Sequence, residues 1–116
     1  MNPLTPARAV AAAISLATFV YLFVHDSWRL DNPFLVPDLL LCAVLLAAAL
    51  LSAARARGAL LFAFGMGTGV LSAAAAAYLV RGEWGGASLL GAVVCAAMAL
   101  ALLRRPVPAT PAPVPR

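Results

Sequence analysis

Four long apolar stretches, separated by shorter polar ones, dominate the pattern of the chain. Within each stretch the apolar residues are continuous, which excludes the alternating apolar and polar positions of a membrane β-barrel strand. A helix needs about 20 mostly apolar residues to cross the hydrocarbon core of a bilayer. The pattern therefore predicts four membrane-spanning helices, at 6–24, 37–54, 59–80 and 86–103.

Residues that favour helix termini support these bounds. Pro6 and Pro37 suit the first turn of a helix, where a missing backbone N–H costs little. The Thr5 hydroxyl is a suitable N-cap, and the Asp38 carboxylate faces the positive end of a helix dipole. The fourth helix is expected to end at the basic pair that begins with Arg104.

The connections between the segments predict how the helices are arranged. Residues 25–36 form a polar loop, whereas 55–58 and 81–85 are short turns. Helices joined by so few residues are antiparallel neighbours. The predicted fold is an all-α, antiparallel four-helix transmembrane bundle within residues 1–105. A Pro/Ala-rich tail, 106–116, is expected to be disordered and extended.

Composition agrees with a membrane class. Of the 116 residues, 65% are hydrophobic and 10% are charged, whereas soluble domains have about 45–50% and about 25%. The same excess excludes an intrinsically disordered chain. All eight basic residues are Arg, but they form no basic face with stacking aromatics of the kind that binds nucleic acid. The predicted partner is the lipid bilayer, with no nucleic-acid partner.

The distribution of arginine predicts the orientation. With both termini in the cytoplasm, six arginines lie inside, and only Arg29 and Arg81 lie outside. Positive charge in short loops favours the cytoplasmic side. All four acidic residues then fall outside, which is consistent with this orientation. We predict a multi-pass protein of a bacterial cytoplasmic membrane with both termini inside.

Small residues predict how the helices pack, because lipid-embedded helices associate through close contacts between small side chains. The third segment has one every four residues, and it is expected to be the most enclosed helix. An alternative for the glycine run at 65–69 is a broken helix of the kind found in transporters. The predicted helix-packing residues are Gly65, Gly69, Ala73 and Ala77, with shorter rows at Ala9, Ala13 and Ala17 and at Ser88, Ala92 and Ala96.

Ionisable side chains inside a membrane usually mark proton or ion pathways, and the cores of the four predicted spans have none. This pattern disfavours an ion-coupled pump. Cys42 and Cys95 are interpreted as small hydrophobic residues, since a disulfide between them would require staggered helices. No metal-ligand spacing is present. The sequence therefore predicts no catalytic residue, no cofactor and no metal site.

The loop at 25–36 offers the most varied polar surface, and such loops often recognise partners. Most aromatic residues also lie in or near the outer half of the predicted membrane region. They form either an interfacial belt or a ligand-contacting cluster. The candidate partner contacts on the outer face are His25, Trp28, Arg29, Phe34 and Trp84.

Three functions from different classes remain. The first is a non-catalytic membrane subunit that packs as a homo-oligomer or within a larger membrane complex. The alternative is an uncoupled transporter or channel-like protein for an apolar or amphiphilic small solute. The third is an enzyme acting through His25 with Asp26 or Asp31, which is least favoured because no nucleophile or metal set accompanies these residues. The sequence favours the first, a protein that is not an enzyme.

Overall fold

The computed structural model describes residues 4–24 and 33–104. Four helices run through these ranges, and each one is antiparallel to the next along the chain. Their bounds are α1 Thr5–Val24, α2 Leu35–Leu50, α3 Ala53–Val80 and α4 Gly86–Arg104. The predicted all-helical fold with four helices is therefore confirmed.

Several predictions fall on residues outside the described ranges. They concern the proline-rich tail and most of the loop between the first two helices. The affected candidate contacts are His25, Trp28 and Arg29.

Three helices, α1, α3 and α4, are long and apolar enough to cross a membrane. The remaining helix, α2, is apolar but has only 16 residues. The predicted bounds of α1 and α4 agree with the structure to within one residue. The Leu4 carbonyl accepts the Arg8 backbone N–H at 2.9 Å, so α1 begins before Pro6 and Thr5 lies inside the helix instead of capping it.

The predicted boundary between the second and third helices is wrong. Only Leu51 and Ser52 separate α2 from α3, and both have an extended backbone. The Ser52 carbonyl accepts the backbone N–H of Arg55 at 3.0 Å and of Ala56 at 2.9 Å. Arg55 and Arg57 were predicted to lie in a turn, but they lie in the first turns of α3. Arginine is a good helix former. Ser52 could have indicated the correct start of α3 from the sequence, because serine is a preferred N-cap residue.

Helix α3 is the centre of the bundle. It packs most extensively on α4, then on α2, and at a few positions on α1, while α1 packs chiefly on α2. It is also the most enclosed of the three long helices, as predicted. Among the described residues, α1 and α4 make little or no direct contact with each other.

The residues predicted to pack α3 lie on a different face from the one that it buries. Gly65, Gly69 and Ala73 are exposed and Ala77 is half-buried, so within one chain this prediction is wrong. A row of residues spaced by four drifts by about 40° per step around a helix of 3.6 residues per turn. The buried face recurs every three or four residues, and its members are Ala56, Leu60, Ala63, Phe64, Gly67, Leu71, Ala74 and Ala75.

Two other glycines allow α3 and α4 to approach closely. A Cβ atom on Gly67 would lie 2.6 Å from the Cys95 Sγ atom, and one on Gly91 would lie 2.7 Å from a methyl carbon of Leu71. Helix α3 is continuous through its glycine run, so the alternative of a broken helix is wrong. The Thr68 hydroxyl donates to the Phe64 carbonyl at 2.8 Å, which satisfies it within the helix.

The shorter rows of small residues differ in their burial. In α1 the predicted row is exposed, and α1 buries a row two positions earlier. In α4 the first two residues of the predicted row are buried and the third, Ala96, is half-buried. The exposed residues are Ala9, Ala13 and Ala17; the buried ones are Ala7, Ala11 and Ser15 in α1 and Ser88 and Ala92 in α4.

Candidate functional site: a cavity at the tyrosine end of the bundle

The antiparallel order gives the two ends of the bundle different chemistry. One end, called the arginine end, carries Arg8, Arg55, Arg57 and Arg104. The opposite end, called the tyrosine end, carries Tyr21, Asp38, Tyr78 and Arg81.

A cavity of about 620 Å³ lies at the tyrosine end and is lined by all four helices. It exists because α1 and α4 do not close against each other there. The side chains at this level are also too small to fill the space, as at Ala17, Ala74 and Ala87. Cavities of about 300–1,000 Å³ are typical of small-molecule sites, so the volume suits a small ligand.

The lining of the cavity changes from apolar to polar along the bundle axis. Ile14, Leu71 and Val94 line the part nearer the middle of the bundle, whereas Tyr21 and Tyr78 line the part near its end. Further polar groups in the lining are Thr18, Asp38, Arg81 and Ser88. An amphiphilic molecule, with an apolar body and a polar head, matches this gradient.

Two tyrosines connect α1 and α3 in the wall of the cavity. The hydroxyl oxygens of Tyr21 and Tyr78 are 3.1 Å apart and share a hydrogen bond. These residues are 57 positions apart in the chain, and no sequence pattern indicated that they meet. The pair holds the outer part of the cavity wall in place.

The positive charge of Arg81 is already engaged by its neighbours. Its guanidinium lies over the Tyr78 ring, 4.8 Å from the ring centroid. Its Nη2 atom is 3.4 Å from the Glu83 Oε2 atom. The turn between them allows this contact, since Gly82 has a φ of 74° and the Glu83 N–H donates to the Tyr78 carbonyl at 2.8 Å.

Asp38 is the polar group of the cavity with an unmet hydrogen bond. It lies in the first turn of α2, with its backbone N–H donating to the Phe34 carbonyl at 2.8 Å. Its Oδ1 atom is buried and has no hydrogen-bond partner in the part of the chain that the structure describes. Burying a carboxylate oxygen without a donor is costly. The described lining of the cavity therefore lacks a donor at this point.

Sequence reasoning placed Asp38 at the outer start of a helix but did not find its role in a site. Its signal was a single acid within the otherwise apolar sequence of α2. Of the predicted partner contacts, Phe34 is half-buried and lines the cavity. Trp84 is 77% exposed and is not part of the lining, so the structure does not bring these two together at one site.

Away from the cavity, Ser15 and Cys42 join α1 to α2. The Ser15 hydroxyl donates to the Cys42 carbonyl at 2.8 Å, and the Cys42 thiol donates to the Ser15 carbonyl at 3.4 Å. Cys42 and Cys95 are both free and buried. Cys42 is therefore a hydrogen-bonding residue as well as a small apolar one. Within residues 4–24 and 33–104, no three metal-ligating side chains form a group.

Arginine side chains close the other end of the bundle. The Arg8 guanidinium donates to the carbonyls of Ala49 at 2.7 Å and Leu51 at 2.6 Å. Arg57 donates to the Leu102 carbonyl. The last carbonyls of a helix have no partner within the helix, so these arginines satisfy the ends of α2 and α4.

Comparison with known proteins gives no family for this chain. No protein-family model matches it, and no curated protein or solved structure matches it. The functional assignment therefore depends on the cavity and on the chemistry of its lining.

Proposed function

We propose that this chain is a small, non-catalytic integral membrane protein that binds an amphiphilic small solute in the cavity at the tyrosine end. The observation that carries the proposal is the cavity itself, with about 620 Å³ of space, an apolar inner part and a polar outer part. Uncoupled transport of such a solute would begin with this binding step.

The exposed surface of the bundle supports placement in a membrane. Large apolar side chains are exposed along all four helices, among them Leu16, Leu50, Val80 and Leu90. Such a surface is a liability in water but needs no cover in lipid. We propose that the arginine end faces the cytoplasm of a bacterial cell, as the positive-inside rule predicts, with both termini on that side.

Two alanines of α1 provide a matched test of solute binding. Ala17 and Ala13 are both exposed and are about one turn apart, but only Ala17 lines the cavity. Ala17→Phe should fill the cavity, whereas Ala13→Phe adds the same group elsewhere on the helix. The probe is a photoactivatable diazirine analogue of dodecanol, added to the protein in phosphatidylcholine nanodiscs.

The readout is saturable labelling of Leu71, which is buried and lines the cavity. We expect the Ala17→Phe variant to lose at least five-sixths of this labelling and the Ala13→Phe variant to retain it. Labelling at exposed Phe62 reports contact with the probe dissolved in lipid. Non-saturable labelling, or equal labelling in both variants, would contradict solute binding in this cavity.

A second function, as an assembly subunit, is favoured by the exposed glycines of α3. A Cβ atom on Gly65 or Gly69 would meet no atom of this chain within 4 Å. Small residues on a lipid-facing surface allow a second helix to approach closely. We propose this face as the contact with a second copy or with another membrane subunit.

Variants at two glycines of α3 test assembly separately from folding. Gly69→Leu should leave the single chain folded and reduce the oligomeric fraction at least fivefold. Gly67→Leu should unfold the bundle, because its side chain would collide with Cys95. Single-molecule photobleaching in liposomes counts the chains per particle. A wild-type protein that stays monomeric at high density in the membrane would overturn assembly with a second copy and leave solute binding standing.

A further inference from the structure

Among the residues that the structure describes, the charges around the cavity are not balanced. Arg81 is the basic residue of the described lining, and Glu83 already pairs with it. Asp38 adds a second negative charge that has no basic partner on its buried Oδ1 atom among the described residues. The polar part of the cavity therefore favours a cation.

On this basis, and resting on the solute-binding function proposed above, we propose that the solute carries a primary ammonium group that binds the Asp38 carboxylate. A buried carboxylate needs both a compensating charge and hydrogen-bond donors. A primary ammonium supplies one positive charge and three N–H donors. Hydrogen bonds between such charged partners are about twice as strong as those between neutral groups.

The other polar side chains of the lining suit the remaining donors of the ammonium. A tyrosine hydroxyl can accept hydrogen bonds as well as donate one, and both Tyr21 and Tyr78 line the cavity. Thr18 and Ser88 add two more hydroxyls to the lining. A cation next to aromatic rings is also stabilised by their π faces.

The apolar part of the cavity defines the rest of the solute. Ile14 lies seven residues before Tyr21 in α1, which corresponds to about 10 Å along the helix axis. Leu71 and Val94 are apolar residues that line the same cavity from α3 and α4. This depth accommodates an alkyl or aromatic body attached to the ammonium. The ligand class is therefore an amphiphilic primary amine, either a free amine or the aminoethyl headgroup of a lipid.

The test compares dodecylammonium with dodecanol, which share a chain and differ in the head group. Each competes with the diazirine probe for Leu71 in phosphatidylcholine nanodiscs, which contain no primary amine. For the wild-type protein, we expect dodecylammonium to compete at a concentration at least tenfold lower than dodecanol. In Asp38→Asn this preference should fall below twofold, because the carboxylate that binds the ammonium is removed.

A second acidic residue provides the control for total charge. Glu83→Gln removes one negative charge at the same end of the bundle, from a side chain that does not line the cavity. It should retain at least half of the preference for ammonium. If Glu83→Gln abolishes the preference as fully as Asp38→Asn does, the specific role of Asp38 is refuted.

The outcomes separate this inference from the function on which it rests. Saturable binding of dodecanol with no preference for ammonium, or a preference that survives in Asp38→Asn, refutes the ammonium site and leaves solute binding standing. No saturable labelling with either compound refutes both. Repeating the competition in nanodiscs that contain phosphatidylethanolamine identifies the source: weaker dodecylammonium binding indicates the lipid headgroup, and unchanged binding indicates a free amine.

Discussion

Each end of α2 has a charged side chain beside it, and the two side chains differ in their hydrogen bonding. At the arginine end, Arg8 donates to two carbonyls at the end of α2, so charge, dipole and hydrogen bonds all agree. At the tyrosine end, Asp38 faces the favourable end of the same helix dipole, but its Oδ1 atom is buried without a donor. The first end is complete by itself, whereas we propose that a bound ligand completes the second.

This difference separates a residue that stabilises the bundle from a residue that we propose for ligand binding. Four helices that share little polar surface have few places where a ligand can be recognised by hydrogen bonds. A group left unsatisfied at such a place lowers the stability of the free protein and raises its affinity for a ligand. The following predictions test this contrast between the two ends.

Of the changes at the two ends of α2, removing the arginine that closes the helix should have the largest effect on stability. Arg8→Met keeps a long side chain but removes the donors to the Ala49 and Leu51 carbonyls. Hydrogen bonds from a charged donor are worth about 1.5–3 kcal/mol, so we expect the free energy of unfolding to fall by about 2 kcal/mol. Denaturation by dodecyl sulfate in mixed micelles measures it.

Arg55 provides the control for Arg8. It belongs to the same end of the bundle, and its side chain is exposed. Arg55→Met should therefore change the free energy of unfolding by less than about 0.5 kcal/mol. Equal losses in both variants would mean that the number of charges, and not the bonds to the α2 carbonyls, stabilises this end.

The corresponding change at the tyrosine end should have the opposite sign. Asp38→Leu removes a buried carboxylate oxygen that has no donor in the described part of the chain. The cost of such a group, about 1–3 kcal/mol, exceeds the helix-dipole benefit that is lost with it, about 0.3–1 kcal/mol. We expect the free energy of unfolding to rise by about 1 kcal/mol. A comparable fall would show that Asp38 stabilises the empty protein.

The smallest effect is expected for the tyrosine pair. Tyr21→Phe removes a neutral, partly buried hydrogen bond to Tyr78 and should lower the free energy of unfolding by about 0.5–1 kcal/mol. A double-mutant cycle with Tyr78→Phe isolates this bond from the other contacts of both residues. A coupling free energy near zero would show that the two hydroxyls do not stabilise each other.

The sequence was sufficient for the number, order and approximate extent of the helices, because the length of an apolar run is a local property. It failed where the answer depends on which faces meet. Gly65, Gly67 and Gly69 are the same residue type in one helix, and only the rotation of α3 places Gly67 against Cys95 and leaves the others exposed. The spacing of four was regular, but the buried face follows the period of 3.6.

The cavity could not be predicted from the sequence, for a related reason. It depends on a gap between α1 and α4, and gaps between helices have no sequence signature. The meeting of Tyr21 with Tyr78 and the burial of the Asp38 Oδ1 atom both follow from that tertiary arrangement. The charge pattern assigned Asp38 to one end of the bundle, but it gave no information about which side of α2 its carboxylate lies on.

For a chain placed in a membrane, as we propose, the short length of α2 has a consequence for the surrounding bilayer. Its 16 residues span about 24 Å, and the 28 residues of α3 span about 42 Å. A hydrocarbon core is about 30 Å thick, so α2 alone is too short to match it. Lipids beside α2 must shorten or tilt their chains to avoid hydrophobic mismatch. This local thinning would bring headgroups and water down to the level of the first turn of α2, next to the mouth of the cavity.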